Sequence, residues 1–388
     1  MKIVVAHNAY QQRGGEDAVV EAEIALLRAH GHTVLSYTRH NDELAAPGAS
    51  RLGAAAGTLW SRRTRTELAR LLQQERPELL HVHNTFPLIS PSLYWAADTC
   101  AVPVVQTLHN FRLLCPQAML LREGRVCEDC VGRTPWPAVA HGCYRGSRAQ
   151  SAVLVGMLQL HRTLGTWAHK VTRYIALNEF CRNKFIEGGL PAGRMVVKPN
   201  FVDLPAPAPG AREGLLFVGR LSHEKGVDVL AAAASGLPAQ ALRVAGSGPD
   251  GAALAIPQIR LLGALGGAEV AREMAGAVAL VLPSLWYENF PRTLVEAFAC
   301  GLPVLASRLG ALTDLVEDGV TGLHVEPGNA GDLAAKMRWA LDHPERMAEM
   351  GRAARALYER AYSAETNLAQ LMAIYADAIA ARAAEQPT

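Results

Sequence analysis

Long uncharged apolar runs are missing from this sequence. Half of its 388 residues are apolar, yet no stretch approaches the ~20 residues that a membrane-spanning helix requires. The amino terminus, MKIVVAHNAY, has an apolar core too short for a secretion signal and no small-residue cleavage site. We therefore expect the protein to stay in the cytoplasm.

Cysteine is scarce and odd in number: the chain has seven, which argues against a disulfide framework in a protein of this size. A loop over 111–147 shows neither helix nor strand periodicity and contains Cys115, Cys127, Cys130 and Cys143. One C-x2-C motif with two further thiols is compatible with a tetrahedral structural zinc, for which His141 is a competing ligand. Reduced cysteines that bind no metal are an equally good interpretation.

A strong overall charge is also absent, because the net charge is only +2. The halves differ, however: residues 1–200 contain 23 Lys and Arg against 15 Asp and Glu, and residues 201–388 contain 15 against 21. A basic half suits an anionic membrane surface or acceptor, although uneven scatter of solvated charge explains it equally well. We expect no nucleic-acid partner.

Short apolar runs alternate with helical patterns along the whole chain. KIVVA, LLHVH and VPVVQTL are examples before residue 200, and GLLFVG, AVALVLP and LPVLAS are examples after it. Continuous apolar strands that alternate with helices are typical of parallel sheets covered on both faces. The sequence therefore predicts an α/β protein with two doubly wound, Rossmann-like domains facing each other across a cleft.

A proline-rich segment, DLPAPAPGAR at 203–212, is the best candidate for a linker because alternating prolines forbid a helix. We expect an N-terminal domain over 1–202 and a C-terminal domain over 213–362. Ala-rich helices follow from about 330 to 384. The last of them, over 363–388, is expected to pack back on the N-terminal domain.

Two segments in the second half follow predicted strands, where α/β sheets bind ligands. VGRLSHEKG places the cations Arg220 and Lys225 where they could cradle a diphosphate, although solvated loop charges are an even alternative. GSGPDG, with Gly248, has dinucleotide-fingerprint spacing but no acidic residue at the end of the next strand. Its glycines therefore fit a close approach to a ligand, or a tight turn, better than hydride chemistry.

Two further strand ends lie in the first half. In RGGED, Gly14 and Gly15 can take positive φ and bring backbone N–H groups close to a phosphate or sugar, or simply form a capped turn. His109 follows another strand and should face the cleft, although a lone histidine is more often structural. His7, His81 and His83 end strands as well.

Glu288 and Glu296 stand eight positions apart in ENFPRTLVEAF. Pro291 suits the first turn of a helix, so Glu288 should lie in the preceding loop and Glu296 on the second turn. If all eight steps were helical, the Cα atoms would be ~12 Å apart along the axis. That exceeds the carboxyl spacing of a glycosidase pair, roughly 5–9.5 Å, and favours two grips on one long polar ligand.

Together these segments resemble the GT-B glycosyltransferases of family 4 type, and the cysteine loop looks like that of a bacterial branch that makes surface polysaccharide. The matching pieces run in family order: RGGED, His109, KPNFVD, GRLSHEKG, GSGP and ENFPRTLVEAFACGLPV. The sequence departs from the family pattern at Asn110, where an acidic residue is frequent, and at Phe201, where glycine is frequent. Both departures bear on the sugar and the acceptor more than on the reaction.

The resemblance implies that a sugar is transferred, with retention, from a nucleotide diphosphate donor to a glycan or lipid-linked acceptor. By position, Arg220 and Lys225 would neutralise the diphosphate, Glu296 would hold the ribose and Glu288 the transferred sugar. His109 would contact the donor sugar and help to stabilise the transition state. The remaining implied donor contacts are Gly14, Gly15, Gly248, Asn289, Phe290 and Leu294.

No catalytic metal is expected, because the sequence contains no Asp-x-Asp pair to clamp a metal-bridged diphosphate. The basic first half would contact the inner membrane face peripherally. Two alternatives remain open: an NDP-sugar epimerase of similar fold, and a non-enzymatic zinc or redox-sensing protein built around the cysteine loop.

Overall fold

The chain forms two compact units in a computed structural model that describes residues 1–45, 50–205 and 210–385. The first unit comprises Met1–Leu120, Cys127–Pro199 and the chain from Asn367 onward. The second comprises Leu121–Val126 and Asn200–Thr366. Residues 206–209 of the predicted linker lie outside the described residues.

Each unit contains a six-stranded parallel sheet. The strands before residue 200 are β1 (Lys2–Ala9), β2 (Thr33–His40), β3 (Leu79–Asn84), β4 (Val104–Thr107), β5 (Leu121–Arg122), β6 (Arg125–Val126), β7 (Arg173–Ala176) and β8 (Met195–Val197). Of these, β5 and β6 form a separate antiparallel hairpin. The strands after residue 200 are β9 (Leu215–Val218), β10 (Leu242–Ala245), β11 (Ile259–Gly263), β12 (Ala279–Leu282), β13 (Val304–Ser307) and β14 (Gly322–Val325).

Helices connect the strands. Before residue 200 they are α1 (Gly15–Ala29), α2 (Arg51–Leu59), α3 (Arg62–Glu75), α4 (Ser92–Thr99), α5 (Pro137–Ala140), α6 (Arg148–Thr163), α7 (Thr166–His169) and α8 (Glu179–Glu187). After it they are α9 (Val227–Ala234), α10 (Gly267–Ala275), α11 (Arg292–Ala299), α12 (Ala311–Leu315), α13 (Ala330–Asp342), α14 (Pro344–Ala361) and α15 (Ala364–Ala384). No helix in the described ranges is long and apolar enough to cross a membrane.

The predicted fold class is confirmed: both units are parallel α/β sheets of the Rossmann type. Continuous apolar runs became buried central strands, and β12 is buried at all four of its positions. Strand β8 was not predicted, because a strand of three residues is too short to show a pattern.

Strand order places a topological switch point in each sheet. The second sheet runs β11-β10-β9-β12-β13-β14, so chain order reverses between β9 and β12. The first runs β2-β1-β3-β4-β7-β8 and reverses between β1 and β3. Ligands of open α/β sheets bind beyond the carboxyl ends of the strands at such points. The loops after β9, β12, β1 and β3 are therefore the places to search for a site.

The last helix, α15, belongs to the first unit. Its side chains Leu371, Tyr375 and Ala378 are fully buried in the core that also contains Ile3 and Ile175. The end of the chain therefore completes the core beneath the first sheet.

Candidate functional site

The switch point of the second sheet brings together two residues that the sequence singled out. Lys225 lies in a 3-10 turn after β9, and Glu288 lies in the loop after β12. The ammonium Nζ of Lys225 donates to Oε1 of Glu288 over 2.7 Å. The same oxygen accepts from the Ser284 hydroxyl at 2.7 Å and from the Trp286 ring nitrogen at 3.0 Å. The carboxylate is therefore held in one orientation by three donors.

Glycine lets these two loops meet. Gly226 has φ of +74°, and a Cβ placed there would lie 2.0 Å from the carbonyl oxygen of Pro283. The backbone N–H of Leu285 donates to the carbonyl of Glu224 over 2.8 Å. A larger residue at position 226 would push the loops apart and separate Lys225 from Glu288.

The cation pair predicted as a diphosphate cradle is not symmetrical. Lys225 is balanced by Glu288, which is 5 % exposed. The Arg220 side chain is exposed, and no ion pair to it occurs within the described ranges. An incoming diphosphate would therefore meet one uncompensated guanidinium and one ammonium that is already shared.

The predicted position of the two glutamates relative to α11 holds. The helix begins at Arg292, so Glu288 precedes it and Glu296 lies on its second turn, while Pro291 is the capping residue just before the first turn. The Nε of Arg292 donates to Glu296 Oε1 over 2.8 Å. Burial raises the pKa of Glu296 above the ordinary range of a carboxyl, although Arg292 opposes the shift.

The other predicted donor contacts in this region have different surroundings. Asn289 is buried, and Leu294 lies wholly in the core. The ring of Phe290 packs edge-on against Tyr362, with 6.0 Å between the ring centroids. Leu294 thus has a packing role that needs no ligand.

The GSGPDG glycines approach the chain itself. A Cβ at Gly248 would lie 2.2 Å from the Leu221 carbonyl oxygen, and one at Gly246 would lie 1.8 Å from that of Gly219. Backbone hydrogen bonds also join the two loops, from Leu221 N–H to Ser247 over 3.0 Å. The spacing that resembles a dinucleotide fingerprint therefore has a structural explanation, the contact between the loops after β9 and β10.

In the first unit, the RGGED glycines do not take positive φ, and the structure agrees with the alternative of a capped strand-to-helix turn. Gly14 caps α1 with φ of −111°, and Gly15 is the first helical residue. The N–H of Gly14 donates to Asp17 Oδ2 over 2.8 Å, which satisfies one free donor of the helix start. Gly15 is exposed, and a Cβ there would meet no atom within 4 Å. Gly15 is therefore distinguished by the open space beside it and not by an unusual backbone conformation.

His109 follows β4, as expected, and is only partly exposed. Its Nε2 lies 2.8 Å from Nδ1 of His83, which ends β3. Burial holds the pKa of His109 well below the ordinary range, and the neighbouring His83 adds to the shift. His109 is therefore a neutral imidazole at physiological pH.

A buried polar cluster lies behind His109, and sequence reasoning missed most of it. Glu23 Oε1 lies 2.9 Å from His81 Nδ1 and 3.3 Å from His83 Nε2, and Lys198 Nζ lies 3.5 Å from its other oxygen. Lys198 also donates to Asn367 of α15 over 2.8 Å. The sequence signal was Glu23, because it occupies the apolar face of α1 together with Val20 and Leu27.

Glu16 was read only as part of a helix cap, and the structure gives it a more unusual environment. Its Oε2 accepts from the Tyr10 hydroxyl at 3.0 Å and from the Asn110 amide at 3.4 Å. Burial raises the pKa of Glu16 to about 7. Asn110, one of the two departures from the family pattern, therefore contacts a carboxyl that titrates near neutrality.

The four cysteines predicted to bind zinc all lie in the first unit. Within the described ranges, only one group of three or more His, Cys, Asp or Glu side chains has ligand atoms that all lie within 4.8 Å of one another: Glu23, His81 and His83. It contains none of the four loop cysteines: Cys115, Cys127, Cys130 and Cys143. Burial raises the pKa of Cys130 to about 12, and the charges of Cys115, Cys127 and Cys143 add to the shift, so the four thiols lie near one another.

Two family models match consecutive parts of the chain. Glycosyltransferase Family 4 matches residues 13–205, and Glycosyl transferases group 1 matches residues 206–357. With the two Rossmann-like units described above, these matches place the chain among the GT-B glycosyltransferases. More narrowly, it belongs to the family 4 group, with a group 1 segment that carries Arg220, Lys225, Glu288 and Glu296.

Curated relatives match parts of the chain. A GDP-mannose-dependent alpha-mannosyltransferase of Corynebacterium glutamicum is 37% identical over 175 residues, which is 44% of this chain and 41% of that protein. D-inositol 3-phosphate glycosyltransferase 2 of Catenulispora acidiphila is 36% identical over 198 residues, 42% of this chain and 46% of that protein. Each match spans less than half the length of the relative.

Solved structures match nearly the whole chain at low identity, which shows the fold. A sucrose-phosphate synthase from Thermosynechococcus elongatus has a TM-score of 0.71 at 19% identity, covering 98% of this chain and 99% of that chain. Anabaena HepE in complex with UDP and glucose has a TM-score of 0.68 at 19% identity, covering 97% and 99%.

Proposed function

We propose that the protein is a retaining glycosyltransferase that moves a sugar from a nucleotide diphosphate donor to a glycan or lipid-linked acceptor. The observation that carries the proposal is the Lys225–Glu288 pair at the switch point of the second sheet. It lies within the matched glycosyl transferases group 1 segment, in the loops where this fold binds ligands.

The charges of this site suit a nucleotide diphosphate. Arg220 and Lys225 would stabilise the negative charge that develops on the leaving diphosphate, in place of a metal ion. Glu288, fixed by Ser284 and Trp286, would accept hydrogen bonds from hydroxyls of the transferred sugar. Glu296 would hold the ribose hydroxyls, with Asn289, Phe290 and Gly248 contributing backbone contacts.

Two residues of the first unit are further proposed donor contacts, on the resemblance of the sequence. His109 would contact the donor sugar, and the open space at Gly15 would admit the phosphate side of the donor. The names of similar proteins point to nucleotide sugars as the donor class, since they mention GDP-mannose for one and UDP with glucose for another. A role in surface polysaccharide synthesis rests on the resemblance of the sequence to that branch.

A panel of nucleotide sugars tests the proposal. We expect one donor to be turned over with release of its nucleoside diphosphate when a suitable acceptor is present, in EDTA as well as in buffer. Proton NMR of the product should show the anomeric configuration of the donor. Epimer formation without an acceptor would favour the epimerase alternative, and failure to bind or consume any donor would overturn the proposal.

A surface of the first unit supports membrane contact. Arg62, Arg65 and Arg70 on α3 are exposed and, with Trp60, line an open groove. Leu52 on the adjacent α2 is 84% exposed. Exposed arginines beside apolar side chains suit anionic headgroups, so we propose that this face docks on the inner membrane surface.

The structural zinc stays a prediction. Elemental analysis of the purified protein, with titration of its thiols, tests it. One equivalent of bound zinc with four protected thiols would support the site, whereas metal-free protein with accessible loop thiols would remove it.

A further inference from the structure

The ring nitrogens of two histidines form a directed contact at the edge of the first sheet. His109 and His83 stack with 5.2 Å between ring centroids and 19° between ring planes, and 2.8 Å separates His109 Nε2 from His83 Nδ1. Only one hydrogen can lie between two nitrogens at this distance. The direction of the hydrogen bond therefore fixes which nitrogen of His109 carries its proton.

The direction of this hydrogen bond depends on Glu23, which lies on the other side of His83. His83 Nε2 is buried and lies 3.3 Å from Glu23 Oε1, a charge contact without hydrogen-bond geometry, and it has no hydrogen-bond partner in the described ranges. Burial opposes ionisation of Glu23, but His81 and Lys198 outweigh that effect and hold the pKa of its carboxyl well below the ordinary value. An ionised carboxylate only accepts, so the proton of His83 belongs on Nε2.

The consequence passes to His109. Burial, together with His81, lowers the pKa of His83 to about 4, so His83 is neutral and carries one N–H. With that hydrogen on Nε2, Nδ1 of His83 is an acceptor, and the hydrogen in the 2.8 Å contact belongs to His109 Nε2. A neutral His109 then has its lone pair on Nδ1.

We infer that Glu23 and His83 are positioning residues that fix His109 as the neutral Nε2–H tautomer, which presents Nδ1 as a hydrogen-bond acceptor. On the proposed function, on which this step rests, the matching donor is a hydroxyl group of the transferred sugar. His109 acts as a fixed acceptor and not as a general acid.

The charges around His109 favour the same state. The groups that face it are His7 at the end of β1, Glu23 on α1, and His81 and His83 on β3, with Lys198 behind Glu23. Protonated His109 would add a cation to a cluster in which Lys198 already neutralises Glu23. His7 is itself paired with Asp17 over 2.8 Å, which leaves that carboxylate engaged.

Two substitutions at His83 distinguish the effect of its hydrogen-bond acceptor from the effect of its size. His83→Phe keeps a stacked ring but removes the acceptor, whereas the Oδ1 of His83→Asn can lie near the position of the lost Nδ1 and accept again. We expect His109 in His83→Phe to stay neutral, because burial is the main cause of its lowered pKa, but to become a mixture of tautomers because no acceptor fixes its hydrogen. His83→Asn should restore the Nε2–H tautomer.

Nitrogen-15 NMR of the free protein reads the tautomer directly, with the His109 signals assigned from their loss in His109→Gln. We expect wild-type His109 to stay neutral and Nε2-protonated from pH 5 to 8. A doubly protonated ring at pH 7, or the Nδ1–H tautomer, would overturn the inference. If His83→Phe does not fold, the wild-type and His83→Asn spectra still decide the question.

Kinetics then link the tautomer to turnover. His83→Phe should lower kcat about 10- to 100-fold, the value of one well-oriented hydrogen bond, with little change in the donor KM. Equal loss in the Phe and Asn variants would contradict the relay. The predicted tautomer in a protein that consumes no donor would leave the relay intact and defeat only the proposed function.

Discussion

The two units place different polar chemistry at equivalent positions of the same fold. At the switch point of the second sheet, Lys225 and Glu288 form one ion pair whose lysine is 25% exposed. At that of the first sheet, Glu23, His81, His83 and Lys198 form a cluster that is almost completely buried. A partly exposed pair can exchange partners with a ligand at small cost, whereas a buried network keeps its geometry with or without one.

We expect the largest effect when one charge is removed from the buried cluster and one from the Lys225–Glu288 pair. Glu23→Gln leaves the Lys198 ammonium buried without its counter-charge, so we expect a loss of about 3–5 kcal/mol in the free energy of unfolding. Lys225→Met should cost less, because the lysine is 25% exposed and Ser284 and Trp286 still donate to Glu288. Urea unfolding followed by circular dichroism measures both. The double variant Glu23→Gln/Lys198→Met should recover much of the loss, and equal stability of Glu23→Gln and wild type would show that the cluster is not a charge network.

The next largest effect concerns Glu16. Its pKa is raised by burial from 4.5 to about 7, so the folded state binds the proton more tightly than the unfolded chain. The resulting stabilisation is fully present below pH 4.5 and is lost as pH rises through about 7, which amounts to about 3 kcal/mol at most.

Urea midpoints of wild type and Glu16→Gln between pH 4.5 and 8 measure this slope, because the variant lacks the titrating group. The stability of wild type relative to the variant should fall across that range. Parallel curves would mean that Glu16 is ionised throughout and that Tyr10 and Asn110 do not face a neutral acid.

Catalysis gives the third test. Glu288→Gln keeps the shape of the side chain but weakens its bonds to sugar hydroxyls, so kcat should fall about 100-fold with little change in the donor KM. The matched control is Glu326→Gln, which removes the same charge from the exposed Arg308–Glu326 pair and should leave activity unchanged. A rise in KM alone would assign Glu288 to ground-state binding.

The smallest expected effect lies on the α3 face. Arg65, which stacks over the Trp60 ring at 5.6 Å, should contribute about 1 kcal/mol to binding of anionic vesicles, so Arg65→Gln should weaken binding about fivefold. Co-sedimentation with vesicles containing phosphatidylserine measures this. Neutral vesicles serve as the control. Equal binding of wild type and Arg65→Gln would remove α3 from the docking face.

The sequence could predict what local patterns determine. Buried strands and the spacing around α11 were readable because each rests on apolar runs or on one proline. The pairing of Lys225 with Glu288 was not readable, since it depends on β12 lying beside β9 although two strands intervene in the chain. The contact between Lys198 and Glu23, 175 positions apart, is hidden for the same reason.

The glycines are a second example of a contact that the sequence alone does not identify. The spacing of Gly246 and Gly248 left a close ligand and a tight turn open, and the protein atoms that approach both glycines belong to the loop after β9. A glycine pattern reports that something approaches closely, and only the fold identifies it.

The path of the chain has a consequence for engineering. The first unit is completed from Asn367 onward, where Asn367 contacts Lys198 and Tyr375 contacts His81 over 2.7 Å. In topological terms most of the second unit, from about 200 to 366, is inserted into the chain of the first. Exchanging that segment therefore needs two joints, with the chain from Asn367 onward retained, and the β5–β6 hairpin, which groups with the second unit, has to match the new segment. A single fusion point would exchange α15 as well. The buried Lys198 would then lose its hydrogen bond to Asn367.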